Sequence, residues 1–319
     1  MPSPRTDDPA RPLRVVSVSR GSPHRDFAAE IALLGRRVRL ERIGTDGDLR
    51  EAARTYARLQ GEADAFGLGG ADLELVVGSR RYEIRESAAL ARHAGRVPVV
   101  CGAGLKTTLE RRAVAHLDET LAWRGRRVLV TSAIDRWGMT EALYAHGAVL
   151  TLGDLPFLLG VPISVRRPAT IAAIARVLAP VVTKLPFDWV YPTGRKQRAS
   201  ASGWRARLFQ GQEVIAGDFH FLARYAPHDL RGITVLTNTT TPADMADLAA
   251  RGVKAVATTT PRYDGRSLPT NLLEAAFVAV AGRHPLPTAD LEAMVAEAGL
   301  EPDLWRATDE PVRPDAAHR

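Results

Sequence analysis

The sequence predicts an α/β protein made of two Rossmann-like domains with mainly parallel sheets. Short β-branched runs alternate with helix-period segments from residue 14 to residue 285, the pattern of βαβ units. Three segments, AEIALLGRRVRLERIG, TEALYAHGAVLTLG and ADLAARGVKAVATT, each run helix, glycine, strand. Their Gly35, Gly147 and Gly252 stand where a left-handed C-cap would turn the chain back into a sheet. Finally, RRVLVTSAIDRWGMTEALYAHGAVLTLGDL, residues 126–155, reads as strand, loop, helix, strand and acidic tip. That is the plan of a unit whose helix N-terminus faces a pyrophosphate, with an acid about 20 residues on for a ribose hydroxyl.

Residues 1–13 carry prolines and mixed charge and read as a disordered tail. An N-terminal α/β substrate domain follows over 14–123, with strands at 14–19, 38–43, 65–68, 73–77 and 97–101 and helices at 25–34, 48–59, 87–93 and 107–116. The polar run HLDETLAWRGR, 116–126, marks the junction. A Rossmann-like nucleotide-binding domain is expected over 124–285, with strands at 127–131, 148–152, 213–216, 234–237 and 254–258. Its helices fall at 139–146, 169–178, 242–250 and 271–280, and a terminal helix at 289–297 with a disordered tail completes 286–319. Between them, 186–212 has no acid from Trp189 to Gln212 but carries Arg195, Lys196, Arg198, Arg205 and Arg207. Without clear periodicity and longer than ordinary connections, it is expected to be a lid, a binding loop or disordered.

The chain of 319 residues has room for two domains and a substantial core. Lys plus Arg exceed Asp plus Glu by 43 to 36, a net charge of +7. The excess is largely arginine, so nucleic acid is not the expected partner; that needs basic residues gathered on one face. The single Cys101 cannot form an intramolecular disulfide and reads as a small buried hydrophobe. No apolar signal-peptide region is visible at the start, and Asp154, Pro156, Arg176, Lys184 and Pro186 interrupt the most apolar windows. The expectation is a soluble cytoplasmic protein with a small-molecule substrate, no membrane partner, and a second copy as homodimer partner.

Four constellations carry candidate chemistry. In VSVSRGSPHRD, Ser17 and Ser19 lie on one side of a strand end, where hydroxyls bind a ligand in open α/β sheets, and Ser22 caps a helix opened by Pro23. In VPVVCGAGLKTTLERR, Gly102 and Gly104 precede Lys106, Thr107 and Thr108 at a helix start. This imitates a phosphate loop without its spacing; Lys106 either polarises a hydroxyl or holds a carboxylate at the mouth, or is solvated, with Thr107 as cap. In ITVLTNTTTPADM, Asn238, Thr239, Thr240 and Thr241 exceed what one cap before Pro242 requires, which points to a ligand site beside the similar tip Thr258, Thr259 and Thr260. In AGDFHF, Asp218 and His220 are two apart on one strand face, read first as structural residues and otherwise as an acid–base or substrate-contacting pair. No third ligand at motif spacing accompanies them, so no metal is expected. The loop after residue 130 has no G-x-G-x-x-G; it offers Thr131, Ser132, Ala133, Ile134, Asp135, Arg136 and Trp137 before Gly138.

The order of these motifs resembles the quinate/shikimate 5-dehydrogenase family, including bacterial proteins labelled quinate 5-dehydrogenase. Ser17 and Ser19 resemble its serine pair, Lys106 its lysine, and TNTTTP, 237–242, its late strand-end motif. The resemblance implies hydride transfer between NAD(P) and a hydroxylated cyclic carboxylate. Lys106 would relay the proton, oriented by Asp118 or Asp135, with Ser17, Ser19, Asn238 and Thr239 on the substrate. The cofactor would rest on Ser132, Arg136, Gly138, Asp154 and Thr258, NAD being favoured over NADP because Asp154 suits a free ribose hydroxyl. The chain departs from the family in its 131–138 loop, which replaces a glycine-rich one, and in lacking the Asn-Arg-Thr signature for a 2′-phosphate. Two other readings stand beside it: an α/β enzyme closing its basic loop on a phosphorylated substrate, and a non-catalytic Rossmann-like ligand-binding protein.

Overall fold

The computed structural model describes residues 11–77, 80–185, 203–263 and 265–308. The tails and most of the basic stretch, 186–202, therefore lie outside the described residues. In chain order the first half contains β1 (Leu13–Ser19), β2 (Phe27–Leu33), β3 (Arg36–Gly44), α1 (Leu49–Leu59) and β4 (Ala65–Gly69). Then come the ribbon β5 (Glu74–Val77) and β6 (Arg80–Glu83), α2 (Arg85–Ala91), β7 (Val99–Val100) and the long α3 (Ala103–Leu121). The second half begins with β8 (Arg127–Val130), α4 (Trp137–Ala145), β9 (Val149–Leu152), a π-helical turn at Leu155–Leu159, and α5 (Pro168–Val182). It continues through β10 (Val214–Ala216), α6 (Phe219–Tyr225), β11 (Thr234–Thr237), α7 (Pro242–Ala250) and β12 (Ala255–Thr258). The ribbon β13 (Arg262–Tyr263) and β14 (Arg266–Ser267), α8 (Thr270–Ala281), α9 (Thr288–Glu297) and β15 (Asp303–Arg306) complete it.

The two sheets run β2-β3-β1-β4-β7 and β15-β12-β11-β10-β8-β9. All pairings in them are parallel except β2 with β3 and β15 with β12. The expected α/β class and parallel-rich sheets are thus present. The second sheet, taken from β9 to β12, has the 2-1-3-4-5 order of flavodoxin-like doubly wound sheets rather than the 3-2-1-4-5-6 order of dinucleotide domains. In each sheet the winding direction reverses once, between β1 and β4 and between β8 and β10. Open α/β sheets bind ligands outside the carboxyl ends of their strands at such reversals.

One helix expected from sequence is a strand. Phe27–Leu33 alternates half-buried with exposed residues and pairs antiparallel with β3. Leu34 and Gly35 both have positive φ, 49° and 74°, as a two-residue type I′ hairpin turn requires. Gly35 is therefore a hairpin glycine and not a helix cap. The run at 73–77 forms a separate ribbon with β6 and does not join the first sheet.

Each sheet is covered on both faces. Val15 and Leu40 share one cluster with Leu105 and Leu109 of α3, while Val16 and Val18 face Tyr56 and Leu59 of α1. In the second sheet Val128 and Val130 pack with Met139 and Leu143 of α4, and Leu129 and Ile215 pack with Phe221 and Leu222 of α6. Burying one such side chain contributes about 1.5–3 kcal/mol. Helix α3 runs through both cores: Leu105 and Leu109 belong to the first, Val114 and Leu117 to the second. Leu272 and Phe277 of α8 and Leu291 and Val295 of α9 pack on the first sheet, although sequence order places them after the second. Two glycines admit α8 there: a Cβ on Gly67 would lie 2.7 Å from Asn271 Nδ2, and one on Gly102 2.7 Å from the Asn271 backbone nitrogen. No helix among the described residues is long and apolar enough to cross a membrane.

Candidate functional site

The carboxyl ends of β1 and β4 face those of β8 and β10 across a cleft with a cavity of about 140 Å³. That volume holds on the order of ten water molecules. Ser17 and Ser19 end β1 on its cleft side, as their alternation predicts. Asn271 Nδ2 donates to Ser17 Oγ at 2.6 Å and an Arg42 guanidinium nitrogen donates to Ser19 Oγ at 2.9 Å. Each hydroxyl is thus fixed as an acceptor and keeps its own hydrogen for the cleft.

Lys106 lies at the base. Helix α3 starts after Gly102, whose φ of 87° supplies the left-handed entry, so Lys106 sits at the end of the first turn and Thr107 is inside the helix, not its cap. Lys106 Nζ is 2.7 Å from Asp135 Oδ1 and 3.1 Å from Asp72 Oδ1. Asp135 is also ion-paired with Arg136, whose Nε lies 3.2 Å from Oδ2. The same guanidinium reaches Glu110 Oε1 at 3.2 Å and Asp218 Oδ2 at 2.9 Å. Glu110 in turn accepts from the Met139 backbone N–H at 3.1 Å.

This network sets the protonation states. Burial opposes the Lys106 charge, but Asp135 and Asp72 outweigh it and raise the ammonium's pKa. Burial likewise works against the Asp135 carboxylate, which the Lys106 and Arg136 charges nevertheless hold below its usual range. Asp72 goes the other way, pushed up to about 7 by burial and by the Asp135 charge, against the pull of Lys106. Two carboxylates on one ammonium share the strain unequally. Lys106 is therefore held as a cation, and burial beside Asp135 makes Asp72 the carboxyl of the pair on which a proton is favoured.

The lining beside Ser19 is basic. Arg42 is buried, held by Asp26 Oδ1 at 2.5 Å and by the Ser22 carbonyl at 3.1 Å, and burial lowers its pKa to about 10. Arg25 pairs with Asp244 at 3.0 Å, and Arg266 donates to the Arg25 carbonyl at 3.0 Å and stacks over the Phe27 ring at 4.8 Å. Asn238 and Thr239 line the cleft beside them, the Asn238 amide donating to Thr270 Oγ1 at 3.4 Å. Asp218 and His220 also line it, but as the start of α6: Asp218 is the N-cap and accepts the His220 backbone N–H at 2.9 Å. Burial lowers the His220 pKa, which favours the neutral ring. Thr241 caps α7 in a reciprocal capping box with Asp244. Among the described residues no group of three or more His, Cys, Asp or Glu is placed to hold a metal ion.

The structure thus gathers Lys106, Asp135, Ser17, Ser19, Asn238, Thr239 and Arg136 around one cleft, and leaves the other predicted residues elsewhere. Asp118 lies three turns further along α3, about 18 Å on at the rise of an α-helix. There it accepts the Trp123 N–H at 2.9 Å and contacts His146 Nδ1 at 2.8 Å. Asp154 is buried and accepts from the Ala133 and Ile134 backbone N–H groups at 3.0 and 2.9 Å, so it closes the 131–138 loop instead of meeting a ribose. Burial raises its pKa to about 6. Ser132 is fully buried, and the Thr258 hydroxyl donates to the Thr260 carbonyl at 2.7 Å. Gly138 serves packing: a Cβ there would stand 2.6 Å from the Thr107 carbonyl oxygen where α4 crosses α3. Of the residues expected to hold a dinucleotide, only Arg136 faces the cleft, and the loop does not fit that cofactor.

A family model described as a domain of unknown function (DUF8754) matches residues 104–306. The chain belongs to that family. A second model, also described as a domain of unknown function (DUF8753), matches residues 14–101 of this DUF8754 chain. No curated protein matches it. Solved structures similar to it include a sugar ABC transport system substrate-binding protein from Bordetella parapertussis, 15% identical over 96% of this chain and 85% of that chain, with a TM-score of 0.32. Another is an ABC transporter solute binding protein from Agrobacterium vitis with bound allitol, 12% identical over 93% and 96% of the two chains, with a TM-score of 0.38. GanP, a glucose-galactose binding protein from Geobacillus stearothermophilus, is 12% identical over 94% and 99%, with a TM-score of 0.38. The quinate/shikimate dehydrogenase resemblance is corrected accordingly. The family that matches is a domain of unknown function and not that dehydrogenase family, and the loop expected to take the dinucleotide is closed by Asp154.

Asp72, Arg42, Arg266 and Asn271 were not singled out from sequence. Asp72 had a usable signal, since Gly69, Gly70 and Ala71 precede it at a strand end and let the backbone approach a ligand. Arg42, Arg266 and Asn271 had none, because nothing local in the chain says that β3, β14 and α8 converge.

Proposed function

We propose that this protein binds a small polyhydroxylated anion, of the sugar-acid or sugar-phosphate class, in the cleft between its two sheets. The observation that carries the reading is the composition of the lining. Hydroxyl and amide groups of Ser17, Ser19, Asn238 and Asn271 line the cleft together with the guanidiniums of Arg25, Arg42 and Arg266. Asp26 and Asp244, which hold two of those guanidiniums, are outside the lining, and the lining's cations, Arg25, Arg42, Lys106, Arg136 and Arg266, outnumber its carboxylates, Asp72, Asp135 and Asp218. The ligand's anionic group meets the arginines, as a planar fork suits a carboxylate or phosphate. Its hydroxyls meet the serines, the asparagines and the Lys106–Asp72 pair, which offers a donor and an acceptor side by side. Binding needs no proton transfer by Lys106, in keeping with its fixed charge.

The test is thermal stabilisation by glucuronate, glucose 6-phosphate and glucose at millimolar concentration, with and without Arg266→Met. Stabilisation of about 2.7 kcal/mol accompanies a hundredfold excess over Kd. The anions are expected to stabilise more than glucose, and Arg266→Met to weaken them about 10- to 100-fold, the worth of one charged hydrogen bond, with little effect on glucose. A preference shared between the two anions names their common chemistry; a preference for one separates carboxylate from phosphate. Absence of stabilisation by all three would refute the reading.

A further inference from the structure

A second cavity, also of about 140 Å³, adjoins the polar cleft and has the opposite character. Its walls are Leu75 of the β5–β6 ribbon, Ile134, Leu158 of the π-helical turn, and Ile174, Leu178 and Val182 of α5. Asp72 and Asp135 line both cavities, so the two meet at the Lys106 ion pair. Ile134 lines only the apolar cavity while its neighbour Asp135 lines both, and Asp72 stands two residues before the ribbon that carries Leu75. The third carboxylate in the lining, Asp154, is spent on the loop N–H groups of residues 133 and 134. Apart from the two shared carboxylates, the second cavity offers a ligand almost only hydrocarbon.

Helix α5 sharpens the point. Its Ile171, Ala172 and Ala175 belong to the second core, and Ile171, Ile174, Ala175, Leu178, Ala179 and Val182 line this cavity, so its apolar surface extends beyond the core stripe. A helix apolar beyond one stripe expects cover on more than one face.

We infer that the ligand of the cleft is amphipathic: a hydroxylated anionic head between the two sheets, joined to an alkyl or acyl chain that passes Asp72 and Asp135 into the apolar cavity. The two cavities are neighbours that share Asp72 and Asp135 in their walls, and that adjacency selects this occupant over a separate apolar molecule. The inference rests on the proposed binding of a hydroxylated anion in the cleft. It adds what that reading does not contain, a hydrocarbon substituent and its place.

The experiment is calorimetric titration with a homologous series of alkyl glucuronides, methyl to octyl, and with 1-octanol as a chain without a head. Wild type is expected to gain about fourfold in affinity per added methylene until the cavity is filled, the factor for burying one CH₂. Leu178→Glu should abolish that chain-length gain while leaving methyl glucuronide affinity unchanged. Leu178→Trp, which keeps the wall apolar and narrows the cavity, should cut the gain at a shorter chain. Methyl glucuronide binding with no gain along the series overturns the inference and leaves the head-binding reading intact. Octanol binding that Leu178→Glu removes, without binding of methyl glucuronide, overturns the head-binding reading and with it the amphipathic ligand. A chain-length gain unchanged in both variants places the chain elsewhere and also overturns it.

Discussion

Replacing Lys106 by Met tests the ion-pair network at the base of the cleft. The side chain is 11% exposed and neutralises Asp135 at 2.7 Å and Asp72 at 3.1 Å. Met keeps the length and apolar stem but leaves two neighbouring carboxylates with only the Arg136 contact to Asp135. Removing one partner of a buried ion pair costs about 3–5 kcal/mol, and the partial exposure of Asp72 places the expected loss near the lower figure, about 3 kcal/mol at pH 7. The sign with pH follows from the native pKa directions. Asp135 is depressed in wild type, so the stability it contributes is present above its unfolded pKa and lost as pH falls below that range, whereas raised Asp72 weakens wild type as pH rises toward 7. Without Lys106 the two carboxylates share a proton, their folded pKa values rise above the unfolded ones, and the variant loses stability as pH rises. The gap between wild type and Lys106→Met should therefore widen from pH 4 to pH 7 in urea unfolding. Lys106→Met with Asp72→Asn, which removes one of the two charges, should recover a substantial part of the loss at pH 7. An equal gap at both pH values, or no recovery in the double variant, would refute the electrostatic account.

Other consequences follow from single side chains. Asp154, 4% exposed, rises from 3.8 to about 6 on burial, so its contribution is full below pH 4 and lost as pH rises through 6. Asp154→Asn should accordingly gain about 3 kcal/mol relative to wild type between pH 4 and pH 7 in denaturant midpoints, and a change of opposite sign would contradict the assignment. Gly138→Val should cost at least about 1–3 kcal/mol by overpacking against the Thr107 backbone, read as a lowered Tm; an unchanged Tm would mean that the α3–α4 crossing yields freely. Asp118→Ala should lower stability by about 1 kcal/mol through the lost bond to the Trp123 N–H while ligand affinity stays unchanged, whereas a lost affinity would return Asp118 to the site.

Local chemistry made much of the site legible. Ser17 and Ser19 are read from alternation along one strand, Lys106 from glycines at a strand end followed by a helix, and Asn238 and Thr239 from hydroxyl and amide groups beyond the needs of a cap. Each signal spans only a few residues and survives folding because strand ends and helix starts keep their local geometry. Misreadings arose where one local pattern fits two structures. AEIALLG satisfies a helix period as well as a strand period, and only pairing with Arg36–Gly44 through a type I′ turn selects the strand. Asp154 stands at the spacing of a ribose-binding acid, yet that spacing also suits an acid that closes the preceding loop, and two backbone N–H groups take it.

By itself the sequence determined that alternating strands and helices build parallel-rich α/β sheets, and which strand ends carry polar side chains, because periodicity and capping act over a few residues. Tertiary structure alone decided that α8 and α9 return to the first sheet, and that Asp72, Arg42, Arg266 and Asn271 join Lys106 in one cleft. It alone set the apolar cavity behind the Lys106 ion pair. Those are contacts between residues up to 254 positions apart, as for Asn271 and Ser17, and they depend on how two sheets and a shared helix pack. No local periodicity encodes them, since burial of the apolar faces, summed over the whole chain, selects the packing.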